Sequence, residues 1–204
     1  MRGRFISFEG GEGSGKSTQA RLLAGHLKSL GKAVVLTREP GGTEGAEAIR
    51  GLLVTGNVER WTPWSEACLV NAARSDHVAR VIRPALDRGD WVICDRFVDS
   101  TRAYQGAGKG IADADLCVLH AQVTGNLWPD LTLVLQVPAG LGLARAHARG
   151  DGERRFEAHD AAFHARVITF FNGLADREPA RCRAFRADQP IDTLAAEIAA
   201  LVQA

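Results

Sequence analysis

Short apolar runs alternate with longer stretches of helical periodicity along the whole chain. Residues 5–10 (FISFEG) are apolar and aromatic and end at a glycine, which predicts a buried strand. A Gly-rich turn follows. Leu22, Leu23, Leu27 and Leu30 then recur at helical spacing up to Gly31, predicting a helix over 17–31. Further strands are expected over 32–40, 90–96, 130–138 and 181–187. Helices are expected over 43–55, 64–86, 113–126, 139–150, 158–177 and 191–203. The 90–96 run (DWVICDR) is apolar on both faces, as a strand of a parallel sheet must be. Regular alternation without internal repeats or linker-like tracts predicts an α/β fold: one parallel sheet flanked by helices.

Composition narrows the class. The chain has 204 residues, 46% of them apolar and 24% charged, enough for one domain with a proper core. A net charge of +1 gives no bulk attraction to nucleic acid or to an anionic membrane, and neither is expected as a partner. Cys68, Cys94, Cys117 and Cys182 are scattered, without C-x-x-C or a neighbouring His, so they read as reduced thiols. With no leader-like pattern before the first strand, the expectation is a cytoplasmic protein.

The chemistry starts at residues 10–17 (GGEGSGKS), which fit the phosphate-binding pattern G-x-x-x-x-G-K-[ST]. Strand, Gly-rich turn and helix follow one another, which is the context this pattern needs. The backbone N–H groups of Gly10, Gly11, Glu12, Gly13, Ser14 and Gly15 and the helix N-terminus would cradle phosphates. Lys16 would reach the β- and γ-phosphates, Ser17 would ligate Mg²⁺, and Thr18 lies beside it at the helix start. Neither D-x-x-G nor N-K-x-D follows, so a GTPase is not expected. Asp95 ends a hydrophobic strand and Arg96 comes next. The aspartate suits a metal-bound water; the arginine's planar fork suits a second phosphate, implying a phosphorylated acceptor. Glu12 is the anomaly, a carboxylate inside a loop built for polyanions.

Taken together, FEGGEGSGKSTQ, TREPGGT, NAARSDH, DRFVDSTRAYQG, PDLTLVLQV and ARAHARG resemble, in order and spacing, the bacterial thymidylate kinases, over about residues 5–190. The resemblance implies a P-loop NTPase-type three-layer fold with a five-stranded parallel sheet. The expectation is a single domain spanning 1–204 with a short lid at about 149–157. It further implies transfer of the γ-phosphoryl group of ATP to dTMP, giving dTDP for dTTP biosynthesis, with Mg²⁺ bound at Ser17 and Asp95, and a homodimer. In the family the loop carboxylate meets the acceptor's 3′-hydroxyl, a role that falls to Glu12. Arg74 and Arg96 map onto groups that bind the acceptor phosphate, Arg74 also helping to orient the base, and Arg50 onto a position that also reaches the acceptor. Arg38, Pro40, Ser100, Tyr104 and Gln105 map onto the rest of the acceptor site, with Tyr104, the one tyrosine in the chain, crowding a 2′-hydroxyl. Arg145 matches a residue that stacks on adenine. The phosphate loop has no arginine, so the catalytic charge on the transferring phosphate would come from Arg149 or Arg154, with Arg155 an equal choice.

Three positions depart from the family. Val70 stands where an aromatic residue commonly stacks on thymine, four residues before Arg74. Leu69 or Phe97 is then expected to cover the ring, or base discrimination is looser. Gln136 replaces a frequent aspartate, and RRFE changes the end of the lid. Two rivals stay open: a kinase for another nucleoside monophosphate or a deoxynucleoside, and a P-loop switch that transfers nothing. A nucleoside acceptor would need a carboxylate base, for which Glu9 is the candidate.

Overall fold

The computed structural model describes residues 2–138, 140–142, 144–145 and 154–203, with the backbone alone at 154 and 157. Five strands, β1 (Phe5–Glu9), β2 (Val34–Arg38), β3 (Trp91–Asp95), β4 (Leu131–Gln136) and β5 (Cys182–Arg186), form one sheet. All pairings are parallel, and the order is β2–β3–β1–β4–β5. Phe8 pairs with Asp95, and Arg38 pairs with the same Asp95 from the other side. This register brings the carboxyl ends of β1, β2 and β3 level. The connections diverge there, which is where open parallel sheets bind ligands.

Alternation along each strand feeds two cores. Ile6, Phe8, Ile93, Leu133 and Leu135 face α1 (Lys16–Ser29) and α10 (Ile191–Gln203). On α10, Leu194, Ile198 and Val202 repeat every four residues and are all buried, each contributing about 1.5–3 kcal/mol. The opposite face carries Phe5, Val92 and Cys94 against Val78, Ile82 and Leu86. Farther along that face, Val134 meets Phe163, Val167 and Phe171 of α8 (Ala161–Asn172). All four cysteines are free thiols.

Helix starts follow local chemistry. Thr43 caps α2 (Glu44–Val54), accepting from the Ala46 N–H at 3.1 Å; Thr62 caps α3 (Pro63–His77), accepting from Ser65. The expected helix 64–86 exists, but it runs from α3 through a π-helical turn, Val78–Ile82, into α4 (Arg83–Asp87). Pro84 has no N–H for the carbonyl four residues earlier, and the chain widens just ahead of it. The expected helix 158–177 divides at Gly173 into α8 and α9 (Leu174–Arg177), and it is preceded by the single turn α7 (Arg154–Glu157). Of the expected helix 139–150, residues 140–142 and 144–145 are helical. The apolar pattern predicts no element over 98–108. There, α5 (Val98–Thr101) continues into a seven-residue π-helical turn, Arg102–Gly108, before α6 (Asp113–Thr124).

Candidate active site

The phosphate loop leaves β1 and enters α1 through glycines in backbone regions that side chains avoid: Gly10 at φ 143°, Gly13 at 66° and Gly15 at 88°. At Gly13 a Cβ would also lie 1.9 Å from the Gly142 carbonyl oxygen. Gly15 opens α1 with no side-chain cap, so the first N–H groups of the helix are left for a ligand. Lys16 folds back over the loop. Its Nζ donates to the carbonyls of Gly10 (3.1 Å) and Gly11 (2.8 Å) and to Ser14 Oγ (3.2 Å). Burial, and then the charge of Arg96, pull its pKa down to about 8, against the pull of Glu12, Asp95 and Glu9.

Ser17 Oγ donates to Asp95 Oδ2. Asp95 Oδ1 is buried and has no hydrogen-bond partner among the described residues. An orphaned carboxylate oxygen beside a hydroxyl, at a helix N-terminus without a side-chain cap, fits Mg²⁺, which takes few protein ligands and completes its shell with phosphate oxygens and water. The described residues hold no cluster of three His, Cys, Asp or Glu side chains able to bind a metal by themselves.

Arg96 links the loop to a second pocket. Its backbone sits at φ 69°, strained for a non-glycine residue, and its N–H donates to the Phe8 carbonyl at 2.9 Å. Nη1 reaches Gly10 O and Ser100 Oγ, each at 3.2 Å, and Nη2 reaches Glu12 Oε1 at 3.0 Å. The guanidinium lies 5.1 Å from the centre of the Tyr104 ring, and the Tyr104 hydroxyl donates to the same Glu12 oxygen at 2.7 Å. Burial would raise the pKa of Glu12, but Arg96, Lys16 and Tyr104 outweigh it and hold it near 2. Glu12 is therefore an anion turned toward this pocket rather than into the phosphate cradle.

The pocket is lined by Glu12, Arg74, Arg96, Ser100, Tyr104 and Gln105 on its polar side. Pro40, Val54, Val70, Phe97 and Phe156 supply apolar wall. Arg74 is fully buried. Its Nε donates to Glu39 Oε2 at 2.7 Å and its Nη2 to Thr101 Oγ1 at 2.9 Å. Glu39 also accepts from His77 Nδ1 at 3.1 Å, and His77 Nε2 hydrogen-bonds with Thr37 Oγ1 at 2.7 Å. Burial pushes the Glu39 carboxyl up, and Arg74 with His77 more than reverse that, leaving it below the ordinary range. The bond between Glu39 and Pro40 is cis, and Arg50 Nη1 donates to the Pro40 carbonyl at 2.8 Å.

Several expected residues thus meet in one place: Glu12, Pro40, Val70, Arg74, Arg96, Ser100, Tyr104 and Gln105 all line the pocket. Others do not. Arg38 points elsewhere, because strand alternation sends it to the neighbouring groove with Ser17 and Asp95, where it pairs with Glu47 at 2.9 Å. Arg50 does not line the pocket; its guanidinium donates to the carbonyl of Pro40, which does. Arg145 Nη1 donates to the Ala187 carbonyl at 2.9 Å. Arg155 is no free lid cation. It is buried, ion-paired with Glu66, and donates to the carbonyls of Leu53, Asn57 and Val58. Arg149 and the Arg154 side chain lie outside the described residues. Of the two residues expected to cover the base, Phe97 lines the pocket and Leu69 does not. Glu9 is buried outside the pocket, accepting from the Phe97 N–H (2.7 Å) and Ser100 Oγ (2.6 Å). Burial and then Asp99 raise its pKa to about 8.

Sequence reasoning missed Phe156 and Glu66. Phe156 had one local signal, an apolar residue inside the charged run GDGERRFE. Glu66 had none, being one acid among the several polar residues of α3.

The family model described as thymidylate kinase matches residues 8–198. The chain belongs to the thymidylate kinase family. It is 54% identical to the thymidylate kinase of Caulobacter vibrioides over 201 residues, covering 98% of this chain and 96% of that protein. The thymidylate kinase of Rhizorhabdus wittichii is 52% identical over 188 residues, covering 92% and 90%. The crystal structure of thymidylate kinase from Ehrlichia chaffeensis aligns over the full length of both chains, with a TM-score of 0.80 at 34% identity. The sheet and phosphate loop described above are therefore those of a thymidylate kinase with the P-loop NTPase fold.

Proposed function

We propose that this thymidylate kinase family member transfers the γ-phosphoryl group of ATP to dTMP, giving ADP and dTDP. The observation that supports this most directly is the placement of Arg96. One guanidinium touches the Gly10 carbonyl of the phosphate loop and, 3.0 Å away on its other arm, Glu12 in the second pocket. A donor phosphate on the loop and an acceptor phosphate beside Arg96 and Arg74 would be brought face to face. An acceptor oxygen, already ionised, attacks the γ-phosphorus; the bond to the β-bridging oxygen breaks, and ADP leaves with that electron pair. No protein base is needed, and Glu9, protonated at neutral pH and outside the pocket, is not placed to be one. Catalysis then rests on positioning and charge. Lys16 would swing from the loop carbonyls to the β- and γ-phosphates, and Arg149 or Arg154 would meet the transferring group. Mg²⁺, when bound at Ser17 and Asp95, supplies charge shielding on the donor phosphates. Glu12 would accept from the acceptor sugar's 3′-hydroxyl, with Tyr104 closing the 2′ side.

The same reading takes the chain as one domain with a lid at about residues 149–157, acting as a homodimer in the cytoplasm. No described helix is long and apolar enough to cross a membrane. A coupled ADP-release assay across dTMP, dUMP, other nucleoside monophosphates and thymidine tests the function. Turnover of dTMP, lost in Lys16→Ala, is expected; turnover of thymidine without dTMP would overturn it.

A further inference from the structure

We infer that Phe156 is the aromatic wall for the acceptor's base, standing in for the ring that α3 lacks at Val70, and that the buried Glu66–Arg155 pair holds it there. The inference rests on the dTMP reading of the pocket. Val70 and Phe156 belong to one apolar cluster and both line the pocket, so a ring from α7 can reach the space that a larger residue on α3 would fill. Phe97 is less suited. It has no exposed surface, and Phe5 and His120 meet it edge-on at 4.9 and 5.6 Å. Phe156 keeps 9% of its surface open and meets Tyr104 edge-on at 5.9 Å, an arrangement that fixes the ring plane beside the pocket.

The anchor is specific. Arg155, next to Phe156, is 1% exposed. Besides its ion pair with Glu66, it donates to three carbonyls at and just beyond the end of α2, and it lies 5.4 Å from the centre of the Phe156 ring. Glu66 Oε1 also binds Gln105 Nε2 at 2.8 Å and Lys109 Nζ at 2.8 Å. One buried carboxylate thus sets both a polar group of the pocket, Gln105, and an apolar one, Phe156. Glu66 and Arg155 are positioning residues and touch no substrate.

Steady-state kinetics on full-length variants tests this. Phe156→Leu keeps an apolar filler without a stacking face; KM for dTMP should rise about tenfold, the scale of one lost base–aromatic stack, with kcat and KM for ATP within about twofold. Adding Val70→Phe to Phe156→Leu should bring KM for dTMP back to within about threefold of wild type, because the ring returns on the other wall. Glu66→Gln should raise KM for dTMP at least about fivefold with KM for ATP unchanged, whereas a merely structural role would lower the melting temperature and leave both KM values alone. An unchanged KM for dTMP in Phe156→Leu, no rescue by Val70→Phe, or unchanged KM values in Glu66→Gln would each overturn the inference. Wild-type enzyme inactive on dTMP would remove the functional reading instead.

Discussion

Replacing Glu39 by glutamine isolates the cost of an uncompensated charge beneath the acceptor pocket. In the native protein the Arg74 and Glu39 side chains are 1% and 3% exposed and joined at 2.7 Å. Glutamine fills nearly the same volume but carries no charge, so Arg74 keeps its cation with almost no exposed surface and no anionic partner at that position. Thr101 and Asn71 remain as neutral acceptors at 2.9 and 3.3 Å. Removing one partner of a buried pair costs about 3–5 kcal/mol, a large share of the roughly 5–15 kcal/mol that holds a domain folded. With a urea m-value of about 2–3 kcal/mol/M for a chain of this size, the unfolding midpoint should fall by about 1–2.5 M. Pairing Glu39→Gln with Arg74→Met removes the orphaned charge, and the double variant should recover at least half of that loss. Equilibrium urea unfolding followed by far-UV circular dichroism measures both. A midpoint within about 0.3 M of wild type for Glu39→Gln, or a double variant weaker than the single, would refute the reasoning.

Gly13→Ala should weaken ATP binding at least tenfold, by calorimetric titration with a non-hydrolysable analogue. Its φ of 66° strains an alanine by about 1–2 kcal/mol, and the new Cβ would strike the Gly142 carbonyl, so the loop must move; unchanged affinity would count against the cradle geometry. Glu9→Gln should change the pH dependence of stability. Burial, then Asp99, raise the Glu9 pKa to about 8, against roughly 4.3 in the unfolded chain. Between those values the folded state holds a proton that the unfolded state has released, so this group's contribution falls as pH rises through the window. Glutamine has no such slope. Unfolding at pH 5 and pH 8 should therefore show Glu9→Gln gaining on wild type with pH, on the order of 1 kcal/mol per unit, and a constant difference would contradict it.

The order of elements and the phosphate loop were legible in the chain itself because both are local. Strand, glycine turn and helix are contiguous over Phe5–Ser29, and the turn's geometry follows from residues at fixed offsets within it. Two apolar faces per strand imposed a parallel sheet covered on both sides, and the alternation of strands with helices left few ways to connect it. The π-helical turns were not legible, since their periodicity differs little from that of an α-helix; yet the second one places Tyr104 and Gln105 together on the pocket wall. The second pocket belongs to tertiary structure. Its walls come from the end of β3, from α3, from the Arg102–Gly108 turn and from α7, and no spacing in the sequence links Glu66 to Arg155 or Val70 to Phe156. Arg38 and Arg155 make the same point from the other side. Each is a cation beside a recognisable motif, and chain position alone could not tell that one is turned into a neighbouring groove and the other buried under α2. Charge and spacing decide what a residue can do; the direction in which packing turns it decides what it meets, and that direction is set by elements distant in the chain.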